Sequence, residues 1–351
     1  MTGLADPASW GVTLHTAFLN GINVRWADTA SSDIERARPI LLFIHGWPES
    51  WFSWRHQLQA AHAKGYRGIA PDMRGYGGTD APKDAGSYTI YSIAGDMLAL
   101  LQHLGVPRVG LVGHDHGASA GWKLSLLHPD VFVCYVALSV PGLFPGNQPP
   151  VEKYRERFGD ERKPESDPEF FYMLHHQLPN AAQDYAQDSR ALFDVLYGDG
   201  AETTPPAVTT SKLFVDGRSE CMAKRVPRPT KRASWMSEEE VEYYAKEFER
   251  AGWDGGLNWY RVIDMDWLVT RQFEGARVRT PVAFIAGSKD AVISMWGGIE
   301  AVQKGLPAFC EQLDSVKIVE GAGHWIQQEC AAEVSAGILE FMEKHRDTFT
   351  T

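Results

Sequence analysis

Gly113-His114-Asp115-His116-Gly117 puts a carboxylate where the chain most readily exposes a nucleophile. An apolar run, Val109–Val112, precedes it, and a helical stretch rich in small residues, Ala118–Leu127, follows. Strand, sharp turn and helix in that order form a nucleophile elbow. The flanking glycines let backbone atoms approach where a Cβ would not fit. With serine at its centre the elbow would acylate. Aspartate attacking a carbonyl would give an unstable anhydride, so its useful target is an sp3 carbon bearing a leaving group, and the product is an ester of the side chain. Water must then cleave that ester, which calls for a general base and a group to orient it.

Both are present later in the chain. Pro281–Gly287 reads as a buried strand, with Asp290 three residues beyond it. Val316–Val319 reads as another, followed by Gly321-Ala322-Gly323-His324-Trp325. The expected base is His324, oriented by Asp290; Asp264 and Asp266 compete for that second role but fall in a different region. A further strand, Ile40–Ile44, ends in His45-Gly46-Trp47-Pro48-Glu49-Ser50. The backbone N–H groups of Trp47 and His116 are the expected oxyanion-hole donors. The helix after the elbow adds a favourable dipole for Asp115. His45 is assigned to ordering the Trp47 loop.

Every one of these residues sits just past the carboxyl end of a strand, where open α/β sheets keep their sites. The strand-like runs are Val12–Ala17, Ile22–Trp26, Ile40–Ile44, Arg67–Ala70, Val109–Val112, Val133–Ser139, Val282–Ala286 and Val316–Val319. Helical patterns cover Trp51–Ala63, Tyr91–Leu104, Ala118–Leu127, Gly298–Lys304 and Glu329–His345. The alternation predicts an α/β protein with a mostly parallel eight-stranded sheet between helices. Asn20-Gly21 predicts an edge hairpin. From Gly142 to Phe273 proline and charge become frequent and helical patterns dominate, which predicts an inserted helical lid over the strand ends. The expected organisation is core 1–141, cap 142–273 and core again 274–351.

A leaving oxygen would need a donor, and a phenol is neutral near pH 7 and can supply one. The lid offers Tyr154, Tyr172, Tyr185, Tyr197, Tyr243, Tyr244 and Tyr260, and spacing does not choose among them.

The motifs His45–Ser50 with Trp51–Arg55, Asp72-Met73-Arg74-Gly75-Tyr76-Gly77, Gly113-His114-Asp115, Asn258-Trp259-Tyr260-Arg261 and Gly321–Trp325 span nearly the whole chain. Together they resemble the soluble epoxide hydrolases of the α/β-hydrolase fold. The resemblance implies conversion of a small apolar epoxide to a vicinal diol without a cofactor, in a detoxification type of chemistry. It also implies that Tyr260 and Tyr172 hold the epoxide oxygen and that the Trp47–Pro48 bond is cis. The chain departs from the family pattern at His116, where tryptophan is usual, and at Ala331, where proline is usual. A dehalogenase on the same fold would need indole donors for its halide, which the loss of tryptophan at 116 disfavours. A non-catalytic receptor on this scaffold could keep a triad as well, and only turnover separates the two.

The 351 residues and their 44% hydrophobic content are ample for such a core without disulfides. A net charge of −11 argues against nucleic-acid or anionic-membrane partners. The basic run Lys224–Arg232 contains Pro227 and Pro229 and reads as a solvated loop. Cys134, Cys221, Cys310 and Cys330 are far apart, which predicts no zinc site and free thiols. His114 and His116 lack metal-ligand spacing. Gly75-Tyr76-Gly77-Gly78 fits no nucleotide loop. Met1–Asn20 shows no signal peptide, and Val131–Pro145 is too short and broken to span a bilayer. A cytoplasmic protein is expected, and a homo-oligomer is left open.

Overall fold

A computed structural model describes residues 6–142, 146–159, 169–198, 214–216 and 231–349. Ten strands are described: β1 (Thr13–Leu19), β2 (Ile22–Asp28), β3 (Ile40–Ile44), β4 (Arg67–Pro71), β5 (Val109–His114), β6 (Phe132–Leu138), β7 (Glu169–Phe171), β8 (Phe214–Asp216), β9 (Val282–Gly287) and β10 (Leu313–Val319). Eight form one sheet in the order β1-β2-β4-β3-β5-β6-β9-β10. β1, β2 and β4 pair antiparallel, and every pair from β4 to β10 is parallel. The hairpin at the edge turns through Asn20 and Gly21, both at positive φ, with Leu19 opposite Ile22. β3, β5, β6 and β9 are buried along their whole length, as continuous apolar runs covered on both faces must be.

The flanking helices pack in pairs. Arg55–Ala63 lies against β4 and Ala331–Lys344, and Ile90–His103 lies against His116–Leu127. Two expected helices are interrupted. Trp51–Trp54 is a 3₁₀ turn, because Ser50 Oγ accepts the Phe52 N–H and caps it there. The last expected helix, Glu329–His345, is broken at Cys330: Glu329 closes a separate short helix, Ile326–Glu329, with its carboxylate turned back to the loop before it, and Ala331–Lys344 follows. The helix after the elbow begins at His116, two residues earlier than its apolar pattern indicates.

Between β6 and β9 helices dominate, from Pro150–Phe158 to Ile263–Thr270, but β7 and β8 form a small antiparallel pair that the helical pattern did not suggest. Ser237 and Glu240 make a reciprocal capping box at the start of Glu238–Ala251. That helix docks on the core: Arg55 Nε donates to Glu240 at 2.8 Å, Ser53 Oγ meets the Tyr244 hydroxyl at 2.7 Å, and Trp51 Nε1 donates to the Tyr243 hydroxyl at 2.9 Å. Each neutral bond is worth about 1 kcal/mol net. Burial of Tyr244, Phe248 and Trp253 contributes about 1.5–3 kcal/mol apiece, so apolar contact does more to seat the cap. Cys221 and most of the basic run Lys224–Arg232 lie outside the described residues. Cys134, Cys310 and Cys330 form no disulfide among the described residues. No described helix is long and apolar enough to cross a membrane.

Candidate active site

β5 ends at His114 and the next helix starts at His116, so Asp115 must turn the chain alone. It does so at φ 53 and ψ −120, a conformation costing about 1–3 kcal/mol for a residue with a side chain. Glycine makes the turn feasible: a Cβ on Gly117 would strike the Ile44 carbonyl, and one on Gly46 would strike the Asp115 side chain. Asp115 is therefore pressed between two strand ends.

Its carboxylate has two contacts of different kinds. The Trp47 N–H donates to Oδ1 at 2.9 Å, while Oδ2 lies 3.6 Å from His324 Nε2. The other ring nitrogen of His324, Nδ1, is 3.1 Å from both oxygens of Asp290. Asp290 is fully buried and also accepts the Val292 N–H at 2.8 Å. These loops follow β3, β5, β9 and β10, so the sheet brings all four groups to one edge. Asp264 and Asp266, the competitors for the orienting role, are engaged elsewhere: Asp264 accepts the Val151 N–H, and Asp266 accepts the Ile90 N–H and pairs with Lys123. The helix N-terminus faces Asp115 as expected, though the His116 N–H makes no hydrogen bond to the carboxylate.

Charge follows from this packing. Burial opposes ionisation of Asp115, but the close approach and positive charge of His324 outweigh it and hold the carboxyl far below its usual range. Burial likewise opposes protonation of His324, yet Asp290 and Asp115 hold it well above its ordinary value. The resting pair is a carboxylate beside an imidazolium.

The cap supplies the opposite wall. Tyr172 and Tyr260 approach edge to face with ring centroids 5.9 Å apart, and both stand near the Trp47 indole, at 6.4 and 5.8 Å. Burial and the nearby Asp115 charge push both phenols well above their ordinary value, so they stay protonated donors. The cap thus brings together the two tyrosines that the resemblance selected from seven. The Trp47–Pro48 bond is cis. His45 Nε2 accepts the Met73 N–H at 3.0 Å and its Nδ1–H donates to the Gly46 carbonyl at 2.8 Å, so it does order the Trp47 loop.

Three features have little sequence signal. Glu49, fully buried, accepts from the Gly46 N–H, from Gln327 Nε2 at 2.7 Å and from His114 Nδ1 at 2.8 Å. Glu329 accepts the N–H groups of Gly323 and Trp325, on either side of His324, at 2.6 and 2.7 Å. His176 stacks its edge on Tyr260 at 4.3 Å and bonds the Tyr185 hydroxyl at 2.7 Å. Of the three, only Glu49 lies inside one of the motifs singled out from the sequence, His45–Ser50.

A cavity of about 470 Å³ abuts this cluster at His116 and Tyr260 and runs between the His116–Leu127 helix and the cap, past Trp259, Lys123 and Trp267. It is large enough for a small organic molecule. Among the described residues no cluster of His, Cys, Asp and Glu is arranged to hold a metal ion.

An aspartate at a strand-to-helix elbow on a parallel sheet, followed in chain order by an acid and a histidine, is the arrangement of an α/β hydrolase. Residues 39–329 match the family model described as alpha/beta hydrolase fold, and the chain belongs to that family. Within it the chain is similar to proteins named epoxide hydrolases. Epoxide hydrolase A of Mycobacterium tuberculosis is 35% identical over 92% of this chain and 95% of its own. Epoxide hydrolase 3 of Siraitia grosvenorii is 36% identical over 95% and 98%. The crystal structure of epoxide hydrolase A from Mycobacterium thermoresistibile superposes with a TM-score of 0.83 at 32% identity, covering 95% of this chain and 98% of that one.

Proposed function

We propose that this protein hydrolyses epoxides to vicinal diols through an ester on Asp115. The observation that carries the reading is the division of labour on that carboxylate: Oδ1 is held by the Trp47 N–H, Oδ2 is left toward His324, and two protonated phenols stand across from it. Tyr172 and Tyr260 hold the epoxide oxygen. Asp115 Oδ2 attacks a ring carbon from the side opposite the C–O bond, which breaks and inverts that carbon. The ring oxygen takes a phenolic proton. His324 then returns a proton to the phenolate, directly or through water.

Ester formation also removes the Asp115 charge, one of the two anions that kept His324 protonated. The base therefore becomes neutral only once there is an ester to cleave. Water gives a proton to His324 Nε2 and its oxygen to the carboxyl carbon, and the charge on Oδ1 is stabilised by the Trp47 and His116 N–H groups. The tetrahedral intermediate collapses by breaking the ester C–O bond, the leaving alkoxide takes the proton of the new carboxyl group and departs as the diol, and Asp115 is again a carboxylate beside an imidazolium. Asp290 keeps the imidazole oriented throughout. The protonated tyrosine pair supports an oxygen leaving group over a halide.

Residues 142–273 would act as the cap in this reading, and 1–141 with 274–351 as the core. The substrate would be a small, mainly apolar epoxide. A cytoplasmic setting fits free thiols, and the reaction needs no second copy of the chain, though a homo-oligomer is compatible with it.

The test is repeated turnover in ¹⁸O water. The label should enter the Asp115 side chain, read by peptide mass spectrometry, because each cycle replaces a carboxylate oxygen. Label found only in the diol, with Asp115 unlabelled, would exclude the ester.

A further inference from the structure

His116 does more to the pocket than lend its backbone. Its imidazole forms part of the cavity wall, is partly exposed there, and makes no hydrogen bond with any described residue. Its neighbours are ring faces: Tyr260 lies edge to face at 4.2 Å and Trp259 at 5.9 Å. Neither answers its two nitrogens, and an unanswered polar ring in a largely apolar wall is costly. Two charged groups of the same wall are already paired. Lys123 and Asp266 pair with each other, and Asp266 also accepts the Ile90 N–H.

Tyr260 fixes where His116 acts. If its phenol holds the epoxide oxygen, the side chain packed on the same ring, facing the cavity, meets the first atoms of whatever substituent runs into that cavity. Resting on the epoxide-hydrolase reading, we propose that the His116 imidazole binds an oxygen on the carbon next to the epoxide ring. The enzyme then prefers glycidyl ethers, and epoxides carrying an adjacent hydroxymethyl group, to hydrocarbon epoxides of the same shape.

The charge state suits this. Burial pulls His116 below its ordinary value, with Asp115 pulling the other way, and the net shift is downward. A neutral imidazole offers one N–H and one lone pair. An ether oxygen can take the N–H, and a hydroxyl can use either nitrogen.

The experiment compares phenyl glycidyl ether with the analogue in which methylene replaces the ether oxygen. The quantity read is the ratio of their kcat/KM values, which cancels any change His116 variants make to the common chemistry. Going from wild type to His116→Phe, the ratio should fall about tenfold, the worth of one hydrogen bond. His116→Gln, which can still donate, should recover part of it. His116→Leu replaces the phenylalanine variant if that one fails to fold. An unchanged ratio in the variant, with both epoxides turned over, overturns this proposal alone. No diol from either epoxide with wild type overturns the hydrolase reading and this proposal together.

Discussion

His114 Nε2 donates to the backbone carbonyl of His324 at 2.8 Å, so the residue before Asp115 holds the loop that carries His324. Its other nitrogen lies 2.8 Å from Glu49, which is anchored in turn by the Gly46 N–H on the loop that supplies Trp47. One imidazole ties together the three loops that must stay in register for the chemistry. His114→Phe should leave Glu49 buried without its main partner, at a cost of about 3 kcal/mol by urea denaturation. Ester hydrolysis should slow more than ester formation, because the second step needs His324 aimed at the attacking water, whereas in the first it only returns a proton that water can relay. Equal slowing of both, in single-turnover measurements, would mean the tie is structural only.

His324→Gln should separate the two chemical steps. Asp115 can still attack, since the Trp47 N–H and the tyrosines are untouched, but nothing removes a proton from water. Intact mass spectrometry after mixing with an epoxide should show a stable adduct of substrate mass. Asp115→Asn should show none. Normal turnover by the glutamine variant would move the base elsewhere.

Tyr260→Phe and Tyr172→Phe should each slow alkylation by about 10²-fold, the usual loss when one donor to a developing oxyanion is removed. The double variant should lose more than either single one. Measuring adduct formation in the His324→Gln background isolates this step from hydrolysis. A double variant that alkylates at a near-normal rate would make the phenols bystanders.

Much of this site is legible in the sequence. Asp115, Asp290 and His324 follow the ends of β5, β9 and β10, and buried parallel strands announce themselves as apolar runs bounded by glycine and proline. The core was legible because its signal is local. Tyr172 was legible only through the resemblance, not through pattern or spacing, since its position beside Tyr260, 88 positions later, depends on helices whose own pattern says nothing about docking. Glu49, His114 and Gln327 form a buried polar network from a loop, a strand end and a short helix, and no one of them reveals its partners by type or spacing. The splitting of the last helix at Cys330 has the same origin: Glu329 looks like an ordinary helical residue until its carboxylate is seen turned back on the histidine loop.

Glu329 also gives a prediction about pH. Burial raises its carboxyl, the Gly323 and Trp325 N–H groups lower it, Asp290 raises it further, and the result is a shift from 4.5 to about 7. A carboxyl raised in the folded state binds a proton that the unfolded chain has already lost, so folding takes up a proton between these two values. The contribution to stability is therefore fully present below pH 4.5 and is lost as pH rises through about 7. Glu329→Gln keeps an acceptor for the two N–H groups but does not titrate. The difference in urea midpoint, wild type minus variant, should fall steadily from pH 4.5 to pH 7 and then level off, because other titrating groups cancel in the subtraction. A difference that does not change with pH would mean that Glu329 is ionised throughout, and that the N–H groups flanking His324 outweigh its burial.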